Sequence, residues 1–147
     1  MMITTEKNFL DGKTFAKCKS ELNRLVESGE MDFDKSFGRL YTHRPAYFDY
    51  LHKTKILESA RKKFGENVKP SYSFISHYNR DYSICPPHSD RPQCKYTIDM
   101  VIAQKEMWPI YIDYKEFKME ENECIEREDF EDFDECETDF IGAPFPW

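Results

Sequence analysis

Residues 71–113 read SYSFISHYNRDYSICPPHSDRPQCKYTIDMVIAQKEMWPIYID, and the fold class turns on whether this run is a set of strands around one turn. Three short segments, SYSFISHY (71–78), KYTIDMVI (95–102) and PIYIDY (109–114), are rich in aromatic and β-branched residues. Pro, Asp and Asn separate them, the punctuation expected between strands. Between the first two, Pro86-Pro87 leads into His88-Ser89-Asp90. Where a strand leaves a sheet, residues i and i+2 can turn toward one point. His88 and Asp90 therefore have the ligand types for half of a non-haem iron(II) site, in which two His and one carboxylate take one face and leave the opposite positions open. Read alone, the tripeptide fits a solvated turn better.

Outward from this run the periodicity changes. Residues 12–28 place Phe15, Cys18, Leu22, Leu25 and Val26 at three- and four-residue spacing, with Asp11 as N-cap and Gly29 just past the end, which predicts an amphipathic helix. A mixed segment, SFGRLYTHRPAYFDYLH, follows. A second helix is predicted from about residue 51 to 64, with Leu57, Ala60 and Phe64 on one face and Gly65 as its stop. Its outer face is basic: Lys53, Lys55, Arg61, Lys62 and Lys63. Helices first and strands afterwards give an α+β class, with N-terminal helices packed on a sheet.

At 147 residues the chain matches one domain, and 16% aromatic residues favour a folded β-containing body over disorder. No apolar run reaches membrane-spanning length, and MMITTEKNFLDGK contains no apolar leader core, so the expected location is cytoplasmic, with no membrane partner. Five cysteines at irregular spacing are expected to be reduced thiols. The charge is uneven. Residues 116–139 hold 13 Asp/Glu against Lys118 and Arg127, a local −11 that leaves +4 on the rest of a chain totalling −7. Tight folding of such a segment requires neutralising partners, and Phe117, Phe130, Phe133, Phe140, Phe145 and Trp147 are candidate anchors for the whole stretch 116–147.

In its order of parts, the run 71–113 resembles the core of a prolyl 4-hydroxylase-like 2-oxoglutarate/iron(II)-dependent dioxygenase. A tyrosine-bearing strand leads to H-x-D, then D-R-P-x-C, a strand, and a W-P-(hydrophobic) strand. The resemblance implies a double-stranded β-helix (jelly-roll, cupin-like), incomplete in this chain, and an oxidoreductase of the hydroxylase class. It divides the chain into a dioxygenase-like domain at 1–115, with a helical layer (1–69) and a β core (70–115), followed by the acidic segment 116–147. It implies His88 and Asp90 as metal ligands, Tyr78 beside the cosubstrate, and the cofactors Fe(II) and 2-oxoglutarate. Where the family has a glycine between that tyrosine and the turn, this chain has NRDYSIC. Arg91 reads as a support that fixes Asp90 by a charge-assisted hydrogen bond, and Cys94 as a small core residue. The substrate class is a protein or peptide side chain, or a small molecule.

The family pattern also needs a distal His and a late Arg or Lys. The histidines are His43, His52, His77 and His88, and none follows Asp90; the late cations are Lys115, Lys118 and Arg127. Three readings follow. The chain is a truncated or degenerate member without oxygenase activity; or Cys124, Cys136 or a carboxylate completes the site; or His77 or His52 does so, from this chain or a neighbouring subunit. His77 alternates with Tyr78, so only one of them should face the site. Missing strands would leave sheet edges uncovered, which docking of 116–147 or a homodimer would relieve. A zinc site from Cys85, His88 and Cys94 lacks the usual paired knuckle. A non-catalytic binding module built on the acidic segment is the alternative function. Nucleic acid ranks low as a partner, because the acidic segment would repel phosphates. No nucleophile motif or phosphate-cradling glycine loop is present.

Overall fold

Asp11 opens the first element. Its side chain accepts from Thr14 N (2.9 Å) and Thr14 Oγ1 (2.7 Å), the N-cap arrangement that satisfies donors left over at a helix start. Helix α1 runs Gly12–Ser28 and ends at Gly29, whose φ of 72° gives the left-handed turn that glycine adopts without a Cβ clash. Both ends fall where the sequence places them. The computed structural model describes residues 4–85, 94–105 and 110. These fall into two units, Leu10–Cys85 and the described part of Met1–Phe9 with Pro86–Trp147.

Within Leu10–Cys85 the α+β class holds, but the order of elements differs from expectation. Two strands, β1 (Asp32–Asp34) and β2 (Arg39–His43), precede the second helix, and β3 (Phe74–Tyr78) follows it. They form a three-stranded antiparallel sheet in the order β1-β2-β3. The region expected to be a helical layer thus supplies two of the three strands. The β1–β2 turn explains why. Asp34 Oδ1 accepts from Ser36 N (3.1 Å) and Phe37 N (3.2 Å), and Gly38 takes φ 62°, so the chain reverses on an Asx turn closed by a glycine. Residues 80–84 brace this turn from outside: Ile84 N donates to Phe37 O (3.0 Å) and Ser83 Oγ to Gly38 O (2.6 Å).

After β2, Arg44 turns the chain at φ 50° and its N–H extends the ladder to Ser73 O (2.9 Å). Pro45 then starts a continuous helical stretch: α2 (Ala46–Leu51), a π-helical turn (His52–Ile56) and α3 (Leu57–Phe64). It begins five residues before the predicted start, and Gly65 stops it at φ 103°. The buried positions are Phe48, Leu51, Ile56 and Ala60; Leu57 and Phe64, predicted to share the buried face, are only half-buried. With Cys18 and Leu25 of α1 these side chains supply most of the core of this unit, and full burial of a Leu is worth about 1.5–3 kcal/mol. Lys55, in the π turn, bonds to Asp11 and to Thr14 Oγ1, clamping the start of α1.

In the second unit, residues 95–102, expected to form a strand, are not in a ladder among the described residues. Ile102 is buried while Tyr96, Ile98 and Val101 are exposed. The expected strand at 109–114 lies outside the described residues except for Ile110. No described helix is long and apolar enough to cross a membrane.

Candidate functional site

His88, Asp90 and Arg91 lie outside the described residues, as do Cys124, Cys136 and the acidic segment 116–147. Of the residues predicted to form the site, Tyr78 is described, at the C-terminal end of β3. The strand period of two puts Phe74, Ser76 and Tyr78 on one face and Ile75 and His77 on the other. Pairing adds Arg39, Tyr41 and His43 from β2 and Asp32 and Asp34 from β1 to the Tyr78 face. Tyr78 and His77 therefore diverge, as the alternation requires.

The centre of the Tyr78 face is Arg39, a residue the sequence did not single out. Its Nε donates to Asp34 Oδ2 (3.2 Å), and its Nη1 to Ser76 Oγ (3.1 Å) and Tyr78 Oη (3.1 Å). The guanidinium also lies 4.1 Å from the Phe37 ring centroid, 5.6 Å from that of Tyr41, 5.9 Å from Phe74 and 5.7 Å from Tyr78, within the range of cation–π attraction. Its side chain is 16% exposed. Alternation in GRLYTH was the available signal: Arg39, Tyr41 and His43 share a face once Gly38 is recognised as the turn.

Burial pushes the Tyr78 hydroxyl up to about 12, with Cys85, its hydrogen-bond partner, acting in the same direction and Arg39 opposing. The phenol thus stays protonated at neutral pH and can only donate or accept a hydrogen bond there, not act as a phenolate. None of Cys18, Cys85 and Cys94 forms a disulfide. Cys94 is half-buried.

His77 and His52, the two earlier histidines weighed as third ligands, each have a buried Nδ1 without a hydrogen-bond partner among the described residues. Neither belongs to a group of three His, Cys, Asp or Glu able to hold a metal there. His52 opens the π turn, and burial lowers its pKa, opposed by Asp49 and reinforced by Lys53 and Arg44. The unfolded chain therefore takes up this proton first. Stability is full above the unfolded value of about 6.5 and falls as pH drops through it toward the folded value. Urea unfolding between pH 7.5 and pH 5, as about the working range, is expected to show a shallower loss for His52→Gln than for the unsubstituted protein; equal slopes would remove His52 as the source.

The basic helix face is largely spoken for. Lys53 pairs with Asp49 (2.6 Å), Lys62 with Glu58 (2.7 Å) and Lys55 with Asp11, while Arg61 Nε donates to Val68 O (3.2 Å). Local carboxylates thus offset much of the charge a nucleic acid would need. Comparison with protein-family models, with curated proteins and with solved structures finds no match to the chain.

Proposed function

We propose that the chain is a 2-oxoglutarate/iron(II) dioxygenase-like protein, with His88 and Asp90 as the proximal metal ligands on a β-helix (jelly-roll) core. The observation that carries this reading is the ordered run from the Tyr78 strand through HSDRPQC to WPI. One imidazole and one carboxylate two residues apart suit Fe(II) in donor type, and Arg91 would hold Asp90 in its charged form. Tyr78 supports the reading because its neutral hydroxyl is held by Arg39 rather than left to rotate. The metal, when bound with its cosubstrate, supplies oxidation of a C–H bond in a peptide side chain or small molecule; the protein's part is to bind and orient.

The charge of −11 on residues 116–139 favours a second reading, a binding module with the same core and no oxygenase chemistry. Anaerobic Fe(II) titration of the purified protein, with and without 2-oxoglutarate, separates them through the metal-to-ligand charge-transfer absorbance. The expected result is a band that requires both components and is abolished in His88→Ala. A folded protein without any band would exclude the dioxygenase-like site and leave the binding module.

A further inference from the structure

We propose that β3 is a dimerisation edge, on which the same strand of a second copy of this chain pairs antiparallel about a two-fold axis through Ser76. Arg44 N–H bonds to Ser73 O, and these two residues stand opposite one another, one step beyond the His43↔Phe74 pair of the β2–β3 register. Opposed residues in an antiparallel ladder alternate between pairs that exchange backbone bonds and pairs whose N–H and C=O point away from each other. The bonding pairs are therefore Thr42↔Ile75 and Leu40↔His77. Phe74, Ser76 and Tyr78 turn their backbone groups outward, away from β2. Among the described residues β3 ends the sheet, and none accepts the outward N–H of Phe74 or Ser76.

The two edges of the sheet are built differently. Strand β1 is three residues long and carries Asp32 and Asp34, a short charged edge of the kind that keeps other strands off. Strand β3 has five residues, with no Asp, Glu, Lys, Arg or Pro among them, and Phe74 at its start is 43% exposed. That composition suits strand addition. Symmetry selects a second copy as the occupant. The outward groups sit at the first, third and fifth residues, so a two-fold turn about Ser76 sets Ser76 opposite Ser76 of the second copy, Phe74 opposite its Tyr78, and Ile75 opposite its His77. Aromatic meets aromatic on one face of the joined sheet, and no like charges are opposed. Arg39, 5.9 Å from the Phe74 ring centroid and 5.7 Å from that of Tyr78 within its own chain, is balanced there by Asp34.

The contact is isologous. It joins two three-stranded sheets into one of six strands whose remaining edges are both β1, so assembly stops at two. Five residues a side make a contact below the standard interface size, and association is accordingly concentration-dependent. It needs no metal and does not rest on the function proposed above.

The test sediments the full-length protein, in reducing buffer to exclude disulfide-linked species, over about a hundredfold range of concentration, and follows amide hydrogen exchange at the same concentrations. A monomer–dimer equilibrium is expected, with protection of the Phe74 and Ser76 amides rising as the dimer forms. Ser76→Pro removes an N–H that points away from β2, a position where an edge strand tolerates proline, and it deletes both bonds of the Ser76 pair. Association is expected to weaken by at least about tenfold with the far-ultraviolet circular dichroism unchanged. Ser76→Glu keeps the N–H and sets a carboxylate beside Arg39 of its own chain but opposite a second carboxylate across the axis, so it too should weaken association. Ser76→Thr should leave it unaltered. A monomer at every concentration would overturn the proposal; outward amides protected in that monomer would assign the edge to another stretch of the same chain. A dimer of undiminished affinity in whichever of Ser76→Pro and Ser76→Glu keeps the fold would also overturn it, by placing the contact elsewhere.

Discussion

Leu51→Ala is expected to cost about 3 kcal/mol, within the range for a buried leucine truncated to alanine. Leu51 is 1% exposed and closes α2 just before the π turn, so it belongs to the buried row with Phe48, Ile56 and Ala60. The loss combines transfer of the removed carbons to water with the cavity left behind. Collapse around the site is limited, because Lys55 ties the start of α1 to the π turn that follows Leu51. Urea unfolding followed by far-ultraviolet circular dichroism measures it, as a lowered midpoint at constant slope. A cost below about 1 kcal/mol would show that the site relaxes to fill the space.

Gly38→Ala is the second large effect, expected at about 2–4 kcal/mol from two separable sources. The backbone φ of 62° is strained for any residue with a Cβ, and a Cβ there would lie 2.8 Å from Tyr82 Cε2 and 3.2 Å from Ser83 Cα. The Tyr82 ring can swing away, but Ser83 is held by its bond to Gly38 O and by the turn with Arg80. Gly38→Asn separates the two: asparagine tolerates the left-handed conformation better but brings the same Cβ contacts. A smaller loss for Asn than for Ala assigns the difference to backbone strain; equal losses assign it to crowding. Because residues 80–85 lead to Cys85, which bonds to Tyr78, the Ala variant should also lower the midpoint of the Tyr78 absorbance titration from about 12. An unmoved midpoint would uncouple the turn from the phenol.

What the sequence disclosed follows the range of the interactions. Helix α1 was legible at both ends because its signals are local: Asp11 caps the amide three residues on, and Gly29 needs no partner. Strand β3 was legible in part, since SYSFISHY contains Phe74–Tyr78, and its alternation correctly separated Tyr78 from His77. Strands β1 and β2 escaped because DFD is three residues long and RLYTH sets a half-buried arginine where a strand pattern leads one to expect an apolar residue. Arg39 makes sense only with Ser76 and Tyr78 in place, 37 and 39 residues away. For KYTIDMVI the alternation is present in the letters, but a strand is defined by its partner, and none pairs with it among the described residues. The metal-ligand pair His88 and Asp90 was read from a motif, and it is the charge-transfer titration that bears on it.

The π turn has a consequence for how this helix can change. Along the stretch from Ala46 to Phe64 the buried residues are spaced three, five and four apart: Phe48, Leu51, Ile56, Ala60. A regular helix, at 3.6 residues per turn, would rotate a side chain five positions on well away from the first; the wider turn at His52–Ile56 brings Ile56 back beneath Leu51. The segment thus holds one residue more than a regular helix needs. Losing a codon between Leu51 and Ile56 would restore ordinary winding with the buried row still aligned, whereas the same loss within α1 or α3 would turn every later side chain by about 100°. The helix carries its own site for length variation, at the turn that holds His52 and Lys55.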